Sequence, residues 1–394
     1  MSVFSFHTTP QIIVRPGASA EIATIAGDRL GNSVLFVTDR GIREAGLETR
    51  SLDALTSAGH DVTIFDAVEA DPSLDTLMRA VEAATRSDAT GVVALGGGSS
   101  LDVAKLTALL AGSGEDVDEA WGVGNAKGPR LPLVLVPTTA GTGSEVTPVS
   151  IITVGGEEKR GVSSPVILPD SAILDAELTV TLPPSATAAT GIDAMVHAIE
   201  AYASRNANNN PISRMLAVES LALLGANIRT AVFKPDDIEA RSAMLLGSTL
   251  AGMAFANSPV AAVHALAYPI GGTFHVPHGL SNALVLPHVL RFNAAEPENG
   301  AYRLYAELAP QLFPDLDPFG DKAGGAQARC SDFIDGLTKL SSELGLPVRL
   351  RDVGIGEEAL PKMARDAMLQ TRLLVNNPRE VAEADALAIY RAAW

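Results

Sequence analysis

The feature that most restricts the fold is a regular alternation of short apolar runs with helix-period segments in the first half of the chain. The runs are rich in β-branched residues and lie at residues 11–14, 33–38, 61–65, 91–95 and 133–136. Segments with helical periodicity separate them, for example over residues 52–58 and 73–86. Strands that are apolar throughout and are separated by helices are typical of a parallel sheet covered on both faces. The sequence therefore predicts a doubly wound, Rossmann-like α/β domain over residues 1–184.

The second half of the chain is predicted to be almost wholly helical. After Pro183-Pro184, amphipathic segments follow one another to the C-terminus, which indicates an all-α bundle over residues 185–394. Residues 261–267 are predicted to form one helix, and Gly271-Gly272-Thr273 to turn the chain after it. Residues 315–326, rich in Gly, Asp and Pro, are predicted to be a surface loop. A chain of 394 residues is longer than one core usually serves, which also favours two domains.

Charge and cysteine content limit the partners and the compartment. The net charge of −17 disfavours nucleic acids and anionic membrane surfaces as partners. A single cysteine, Cys330, excludes an intrachain disulfide framework and fits a reducing compartment. The first residues lack the pattern of a signal peptide, and no run of 18 apolar residues occurs. We therefore expect a soluble, cytoplasmic protein that does not bind a membrane.

A glycine-rich loop follows the fourth apolar run. Gly96-Gly97-Gly98-Ser99 leads directly into a helical segment, so backbone N–H groups and the helix N-terminus could bind a pyrophosphate. This segment lacks the G-x-G-x-x-G spacing, and a glycine triplet alone is equally typical of a tight turn without a ligand.

A second polar loop follows the fifth run and strengthens the nucleotide interpretation. Its hydroxyl groups could donate to ribose and phosphate and belong to Thr138, Thr139, Thr142 and Ser144. Ligands of doubly wound sheets bind at the carboxyl ends of the strands, where both loops are predicted to lie. After the second loop, residues 146–154 are predicted to form a further strand.

Asp39, at the end of the second run, is the candidate for cofactor choice. A carboxylate at the end of an early strand can accept both ribose hydroxyls of NAD, and it would repel the 2′-phosphate of NADP. Asp39 could instead only cap the following turn. The neighbouring Arg40 could in principle accept a 2′-phosphate.

Histidines cluster in one quarter of the chain. Asp193 and His197 are four residues apart in a helical pattern, a spacing that stacks both side chains on one face about 5–6 Å apart at Cβ. Four more of the seven histidines follow between residues 264 and 288: His264, His275, His278 and His288. One carboxylate with three imidazoles is a suitable shell for iron, zinc or nickel.

Long ordered segments resemble the iron-containing (group III) alcohol dehydrogenases. They are Gly-Ile-Asp-Ala-Met-Val-His-Ala-Ile-Glu-Ala-Tyr from Gly191, Val-His-Ala-Leu-Ala-Tyr-Pro from Val263, and Pro-His-Gly-Leu-Ser-Asn-Ala from Pro277. The two nucleotide loops also resemble those of the family. The resemblance implies that Asp193, His197, His264 and His278 bind the catalytic metal, that Lys159 approaches the cofactor, and that an acid at Asp39 goes with NAD.

The resemblance implies an NAD-dependent dehydrogenase that interconverts an alcohol with an aldehyde or ketone by hydride transfer. A metal in such a site polarises the substrate oxygen as a Lewis acid. Iron is implied by the family, although the ligand types accept zinc equally well. A homodimer or a larger homo-oligomer is also implied.

The proton relay departs from the usual pattern of the family. Many members carry a second histidine four residues after the third ligand, where this chain has Tyr268. A phenol with a pKa of about 10 is a poor proton shuttle at neutral pH, and His275 could replace it. Val149, Phe255 and Tyr268 are predicted to line a mostly apolar substrate pocket.

Two other interpretations stay open at this level. On the same fold, the chain could be a hydroxyacid–oxoacid transhydrogenase or an oxo-acid reductase, although the sequence does not reveal the cationic group that would bind a carboxylate. More distantly, it could be a lyase that resembles dehydroquinate synthase, against which the Asp193/His197 pair argues.

Overall fold

The computed structural model describes residues 3–155, 158–314 and 325–394. The chain divides into two compact units. The sheet unit comprises His7–Leu182 and Asp236–Thr249, and the helical unit comprises Met1–Phe6, Pro183–Pro235 and Leu250–Trp394. Asp236–Thr249 was predicted to lie in the helical domain, because helical periodicity does not indicate against which core a helix packs. The functional division at residue 184 remains a prediction.

The sheet unit is built on a six-stranded parallel sheet in the order β1-β9-β6-β4-β2-β3, with a smaller sheet in the order β5-β8-β7. Its strands are β1 (Gln11–Val14), β2 (Ser33–Asp39), β3 (Asp61–Val68), β4 (Gly91–Gly96), β5 (Gly122–Val123), β6 (Leu133–Pro137), β7 (Val149–Val154), β8 (Glu158–Ser163) and β9 (Ser171–Leu174). Its helices are α1 (Ile22–Leu30), α2 (Arg40–Ala45), α3 (Thr49–Ser57), α4 (Leu74–Arg86), α5 (Gly98–Ser113) and α6 (Val117–Ala120).

Alternate residues of the central strands pack into two separate cores. Leu35 and Val37 of β2 contact one core, which also contains buried residues of α4 and α5. Val34 and Phe36 contact the other core, which contains residues of α1 and α3. Burial on both faces explains why consecutive residues of β2, such as residues 34–37, are all apolar. The predicted parallel, doubly wound sheet is confirmed.

Two strand predictions need correction. The strand predicted over residues 146–154 begins only at Val149, because Ser144–Val146 forms a turn of 3₁₀ helix. The strand β9 was not predicted, although it lies between β1 and β6. Only four residues long, β9 offers too short a pattern to distinguish it from a loop.

The helical unit confirms the predicted helical C-terminal region. Helix α9 (Ile238–Asn257) follows Asp193 and His197 in the chain and precedes His264 and His278, and its first part belongs to the sheet unit. The other helices are α7 (Pro184–Ala203), α8 (Pro211–Phe233), α10 (Ala262–Phe274), α11 (His278–Ala294), α12 (Ala301–Leu312), α13 (Gly325–Glu343), α14 (Leu360–Ala367), α15 (Thr371–Leu374) and α16 (Glu383–Ala393).

The predicted turn at Gly271-Gly272-Thr273 is wrong. These residues continue α10, and the chain turns at His275, which has a left-handed φ of 55° and donates its N–H to Gly271 O. The glycines disfavour a helix by only about 1 kcal/mol each relative to alanine, which tertiary packing readily overrides. Most of the loop predicted over residues 315–326 lies outside the described residues, and Gly325 and Ala326 begin α13.

By length and composition alone, α8 could cross a membrane, and its most apolar window is 39% buried. The helix packs against α7 and α12 within the helical unit. Its Arg229 forms an ion pair with Glu343 of α13. Helices α9 and α10 pass the same test only as a pair that is bent by 109°.

The crossing of α8 and α12 gives a stability prediction. A Cβ atom at Gly225 would lie 2.7 Å from Leu312 O, whereas a Cβ at Gly272 in α10 would meet no atom within 4 Å. We expect Gly225→Ala to destabilise the protein by about 1–3 kcal/mol through overpacking. Gly272→Ala, the control, should leave stability unchanged or raise it by up to about 1 kcal/mol. Urea denaturation followed by circular dichroism measures both, and equal midpoints would contradict the close crossing.

Candidate active site

Three helices bring a carboxylate and two imidazoles together. Asp193 lies in the middle of α7, His264 near the start of α10, and His278 at the first position of α11. One ligand atom from each lies within 4.8 Å of the others, and Asp193 Oδ1 is 3.8 Å from His278 Nε2. Asp193 and His264 are almost fully buried, whereas the His278 side chain is 44% exposed. The cluster is therefore open on the side of His278.

Gly279 allows α11 to approach α7 at this cluster. A Cβ atom at this position would lie 2.3 Å from Ala189 O and 3.2 Å from the Asp193 Cβ. Only glycine fits such a contact between two helices, because any side chain would push α11 away. The Pro-His-Gly sequence therefore sets the position of His278 relative to Asp193.

His197 lies beside this cluster on the same face of α7 as Asp193. Its ring stacks on Phe255 with the centroids 4.4 Å apart, and on His264 with the centroids 4.7 Å apart. It is not among the three residues whose ligand atoms lie within 4.8 Å of one another. Phe255, predicted as a pocket residue, thus packs directly against a predicted metal ligand.

Glu200 belongs to this site but was not predicted from the sequence. One carboxylate oxygen, Oε2, lies 2.6 Å from His264 Nδ1, and the other accepts the Val263 N–H at 2.7 Å. A carboxylate on Nδ1 makes that atom the proton-bearing one, so Nε2 keeps its lone pair for a metal. The spacing of residues 193, 197 and 200 could have revealed Glu200, because positions i, i+4 and i+7 share one helix face.

Asn282 is a second residue that was missed. Its Nδ2 donates to Asp193 Oδ1 at 2.6 Å and lies 3.3 Å from both His264 Nε2 and His278 Nε2. Its Oδ1 is buried without a hydrogen-bond partner in the described part of the chain. An unpaired buried oxygen is costly, and it commonly marks a place where a water or an ion completes the site.

The charges of the cluster suit a divalent cation. Burial alone would raise the pKa of Asp193, but His197, His278 and His264, together with the Asn282 hydrogen bond, hold that pKa below its ordinary value. Glu200 adds a second carboxylate that is 95% buried or more. Carboxylate and imidazole donors are the ligand types of iron and zinc sites, so the residues fit a transition metal.

The two candidates for proton transfer differ in position. The ring of Tyr268 lies 6.2 Å from that of His278, and its hydroxyl accepts a hydrogen bond from Arg372 at 3.4 Å. His275 is exposed at the left-handed end of α10. His288, ten residues after His278 in α11, is outside the cluster, and burial lowers its pKa to about 4.

In the sheet unit, the glycine loop joins β4 to α5. Helix α5 begins at Gly98, and no side chain caps the N–H groups at its N-terminus. A Cβ at Gly98 would lie 2.8 Å from the Thr142 side chain, so the two nucleotide loops touch. Free N–H groups at the N-terminus of a helix of this length suit a pyrophosphate.

A cavity of about 460 Å³ adjoins this helix N-terminus and is lined by Asp39, Arg40 and residues 97–100, among others. Asp39 Oδ1 caps α2 by accepting the Ile42 N–H, and Oδ2 accepts the Ser100 hydroxyl at 3.4 Å. Asp39 therefore caps a helix and also lines this cavity, and its role in cofactor choice stays a prediction.

The remaining predicted cofactor residues lie in different surroundings. The Thr138 N–H donates to Gly96 O, and the Thr139 side chain lies beside Gly97. Ser144 faces inward and donates to Asp102 Oδ1 at 2.6 Å.

Lys159 on β8 pairs with Asp71 at 2.6 Å and donates to Thr153. Val149 begins β7, and its carbonyl accepts from Lys105.

Family comparisons cover both parts of the chain. Residues 9–176 match the family described as iron-containing alcohol dehydrogenase. Residues 187–394 match the C-terminal part of the Fe-containing alcohol dehydrogenase family. Long-chain-alcohol dehydrogenase 1 of Geobacillus thermodenitrificans is 40% identical over 370 residues, which is 93% of this chain and 91% of that protein.

Solved structures agree over the whole length. A crystal structure of 1,3-propanediol oxidoreductase superposes with a TM-score of 0.92 at 33% identity, covering 100% of both chains. Sulfoacetaldehyde reductase from Bifidobacterium kashiwanohense, in complex with NAD⁺, superposes with a TM-score of 0.86 at 28% identity, covering 100% of this chain and 99% of that one. The chain therefore belongs to the iron-containing alcohol dehydrogenase family of oxidoreductases.

Proposed function

We propose that this chain is an NAD-dependent, metal-requiring alcohol dehydrogenase that interconverts an alcohol with an aldehyde or ketone. The observation that carries the proposal is the buried cluster of Asp193, His264 and His278, with Glu200 behind His264. Supporting evidence comes from the family membership and from the uncapped helix N-terminus of the sheet unit. We also propose a cytoplasmic homodimer or larger homo-oligomer.

The metal site is proposed to consist of Asp193, His197, His264 and His278. The metal would supply Lewis-acid polarisation of the substrate oxygen. Glu200 holds His264 in the tautomer that leaves Nε2 free, and Asn282 orients the Asp193 carboxylate. The family description favours iron, whereas the donor types would also bind zinc.

The cofactor is proposed to be NAD, bound by the sheet unit. Backbone N–H groups of residues 96–99 would bind the pyrophosphate, and Asp39 would accept hydrogen bonds from the adenosine ribose hydroxyls. Thr138, Thr139, Thr142, Ser144 and Lys159 are proposed to shape the rest of the cofactor site. Val149 and Phe255 are proposed to line the substrate pocket.

Substrate is proposed to reach the metal site from the side of His278, because His278 is the exposed residue among the proposed ligands. Of the two relay candidates, Tyr268 is better placed, since its ring is 6.2 Å from His278 whereas His275 is exposed. A bound NAD would supply the hydride acceptor for oxidation of the alcohol, and Tyr268 is proposed to relay the proton that the alcohol hydroxyl loses. The relatives named above differ in substrate, so the alcohol must be found by assay.

A transhydrogenase or an oxo-acid reductase remains the second candidate, and one observation favours it. The cationic group that the sequence did not reveal is present, because the Arg372 guanidinium lies against the Tyr268 hydroxyl. Steady accumulation of NADH from simple alcohols, without added oxo acid, is expected for the dehydrogenase. A single turnover that continues only when an oxo acid is added would instead establish the transhydrogenase. The lyase interpretation loses its support, since both parts of the chain match alcohol dehydrogenases.

Ligand substitutions test the metal site. We expect His264→Ala and His278→Ala to lose bound iron or zinc and all turnover, because each removes an imidazole from the cluster. Glu200→Gln should retain the metal but bind it roughly 10–100-fold more weakly, since a carboxylate partner raises ligand basicity. His288→Ala is the control on the same helix and should keep its metal. Metal analysis and competition with a chelator provide the readouts, and retention by His278→Ala would contradict the ligand set.

Substitutions at Asp39 test cofactor choice. Asp39→Gly and Asp39→Asn both remove the charge that repels a 2′-phosphate, but asparagine keeps the cap on α2. We expect the ratio of kcat/KM for NAD to that for NADP to fall by roughly tenfold or more in both variants. Only Asp39→Gly should also lose about 1 kcal/mol of stability. A ratio that changes in neither variant would show that Asp39 acts only as a cap.

Substitution of Arg372 tests the charge of the substrate. We expect Arg372→Ala to lower kcat/KM for aldehydes that carry a carboxylate or sulfonate by roughly tenfold, the usual worth of one charged hydrogen bond. Neutral aldehydes of equal length should be unaffected. Arg365→Ala, which removes an exposed arginine of α14, is the control. An equal fall in kcat/KM for anionic and neutral aldehydes would contradict a role of Arg372 in binding anionic substrates.

A further inference from the structure

A fully buried lysine lies on α5, the helix that begins at the glycine loop. Lys105 is 0% exposed, and its Nζ donates to Ser144 Oγ at 2.7 Å, Thr147 Oγ1 at 3.1 Å and Val149 O at 2.7 Å. Ser144 belongs to the second nucleotide loop, and Thr147 and Val149 follow it. Lys105 Nζ also lies 3.5 Å from Asp102 Oδ1 on its own helix, so the ammonium group joins α5 to residues 144–149.

Asp102, one turn earlier on α5, binds the same segment. Its Oδ1 accepts the Ser144 hydroxyl at 2.6 Å, its Oδ2 accepts the Ile151 N–H at 2.9 Å, and its backbone carbonyl accepts the Ser150 hydroxyl at 2.9 Å. Lys105 and Asp102 thus attach residues 144–151 to α5 with a continuous hydrogen-bond network. A network in which every member is paired fixes one conformation.

Stability alone does not account for this network. Burial lowers the pKa of Lys105, and the carboxylates of Asp102 and Glu145 counteract that effect. Burial also raises the pKa of Glu145, which accepts the Thr249 hydroxyl at 2.7 Å. Replacing buried ion pairs by apolar residues of similar volume is often neutral or stabilising. We therefore interpret the network as fixing the conformation of residues 144–151 rather than as adding stability.

The strand order indicates which part of a dinucleotide this segment serves. Asp39, Gly97 and Thr138 follow β2, β4 and β6, which are consecutive neighbours in the sheet. Adjacent strands lie about 4.8 Å apart, so these three positions form a row along the carboxyl edge. A dinucleotide with its adenosine at Asp39 and its pyrophosphate at Gly97 has its nicotinamide half at the loop that starts at Thr138.

We propose that Lys105 is a positioning residue for the nicotinamide half of the cofactor. It acts through Ser144, Thr147 and Val149, whose positions it fixes, and it does not touch the cofactor itself. Asp102 is its partner in this role. The inference rests on the proposed NAD dependence.

Two ligands separate this role from a general effect on folding. NADH contains both halves of the dinucleotide, whereas ADP-ribose contains the adenosine and both phosphates without the nicotinamide. In the full-length Lys105→Met variant, we expect the Kd for NADH to rise by at least about tenfold, or 1.4 kcal/mol. The Kd for ADP-ribose should stay within about twofold of the natural value, because the uncapped α5 N-terminus is unchanged.

Additional variants keep the test interpretable. Lys105→Met leaves the Asp102 carboxylate without its cation, so the double variant Lys105→Met/Asp102→Asn removes that charge as well. Ser144→Ala, which loses one contact of the network, should show a smaller change in the same direction. Thr107→Val is the control on α5, because Thr107 is buried and its hydroxyl has no hydrogen-bond partner in the described part of the chain. It should bind both ligands like the natural protein.

Fluorescence titration measures NADH, calorimetry measures ADP-ribose, and a thermal scan reports on folding. Equal losses for both ligands in the folded double variant would overturn the proposal, because Lys105 would then support the phosphate helix. Unchanged NADH binding in both lysine variants would also overturn it. If the natural protein binds neither ligand, the proposed NAD dependence fails first, and this inference fails with it.

Discussion

The carboxylate of Glu200 on α7 binds the start of α10, and the arrangement of Asp193, His264 and His278 depends on that contact. One oxygen accepts a backbone N–H of α10 and the other binds the imidazole of His264, so the same group places the helix and orients its ligand. Gly279 sets the third helix against α7 by direct backbone contact. The Glu200 contacts and the close packing at Gly279 thus bring side chains of three helices, α7, α10 and α11, together at the candidate metal site.

The two units manage buried charge in opposite ways. In the helical unit, the carboxylates of Asp193 and Glu200 face imidazoles, an excess of negative charge that suits a cation. In the sheet unit, the Lys105 ammonium group lies beside the Asp102 carboxylate and donates to Ser144, Thr147 and Val149. The cofactor phosphates that are proposed to bind this unit would therefore be bound by backbone N–H groups rather than by this lysine.

Most strands of the large sheet could be predicted from sequence, and so could the placement of Asp193 and His197 on one helix face, because both follow local patterns. Continuous apolar runs mark β2, β4 and β6, and helical spacing joins Asp193 to His197. The rest depends on contacts between distant residues. Arg372 meets Tyr268 across 104 positions, and Lys105 lies in an apolar helix whose hydrophobic side chains do not indicate what an ammonium group would bind. The continuation of α10 through its glycines was missed for the same reason, since tertiary packing decides it.

Arg372 also shows how substrate specificity can differ between proteins that share this fold. Both parts of the chain match the family, so family membership by itself cannot distinguish a neutral alcohol substrate from an anionic one. The residues around the open side of His278 are free to differ. Here that side has a phenol in contact with an exposed guanidinium, a pair that can donate to a carboxylate or sulfonate without changing the metal cluster. An exposed guanidinium contributes less binding free energy than a buried one, because water and salt screen its charge. Any preference for anionic substrates should therefore weaken as ionic strength rises.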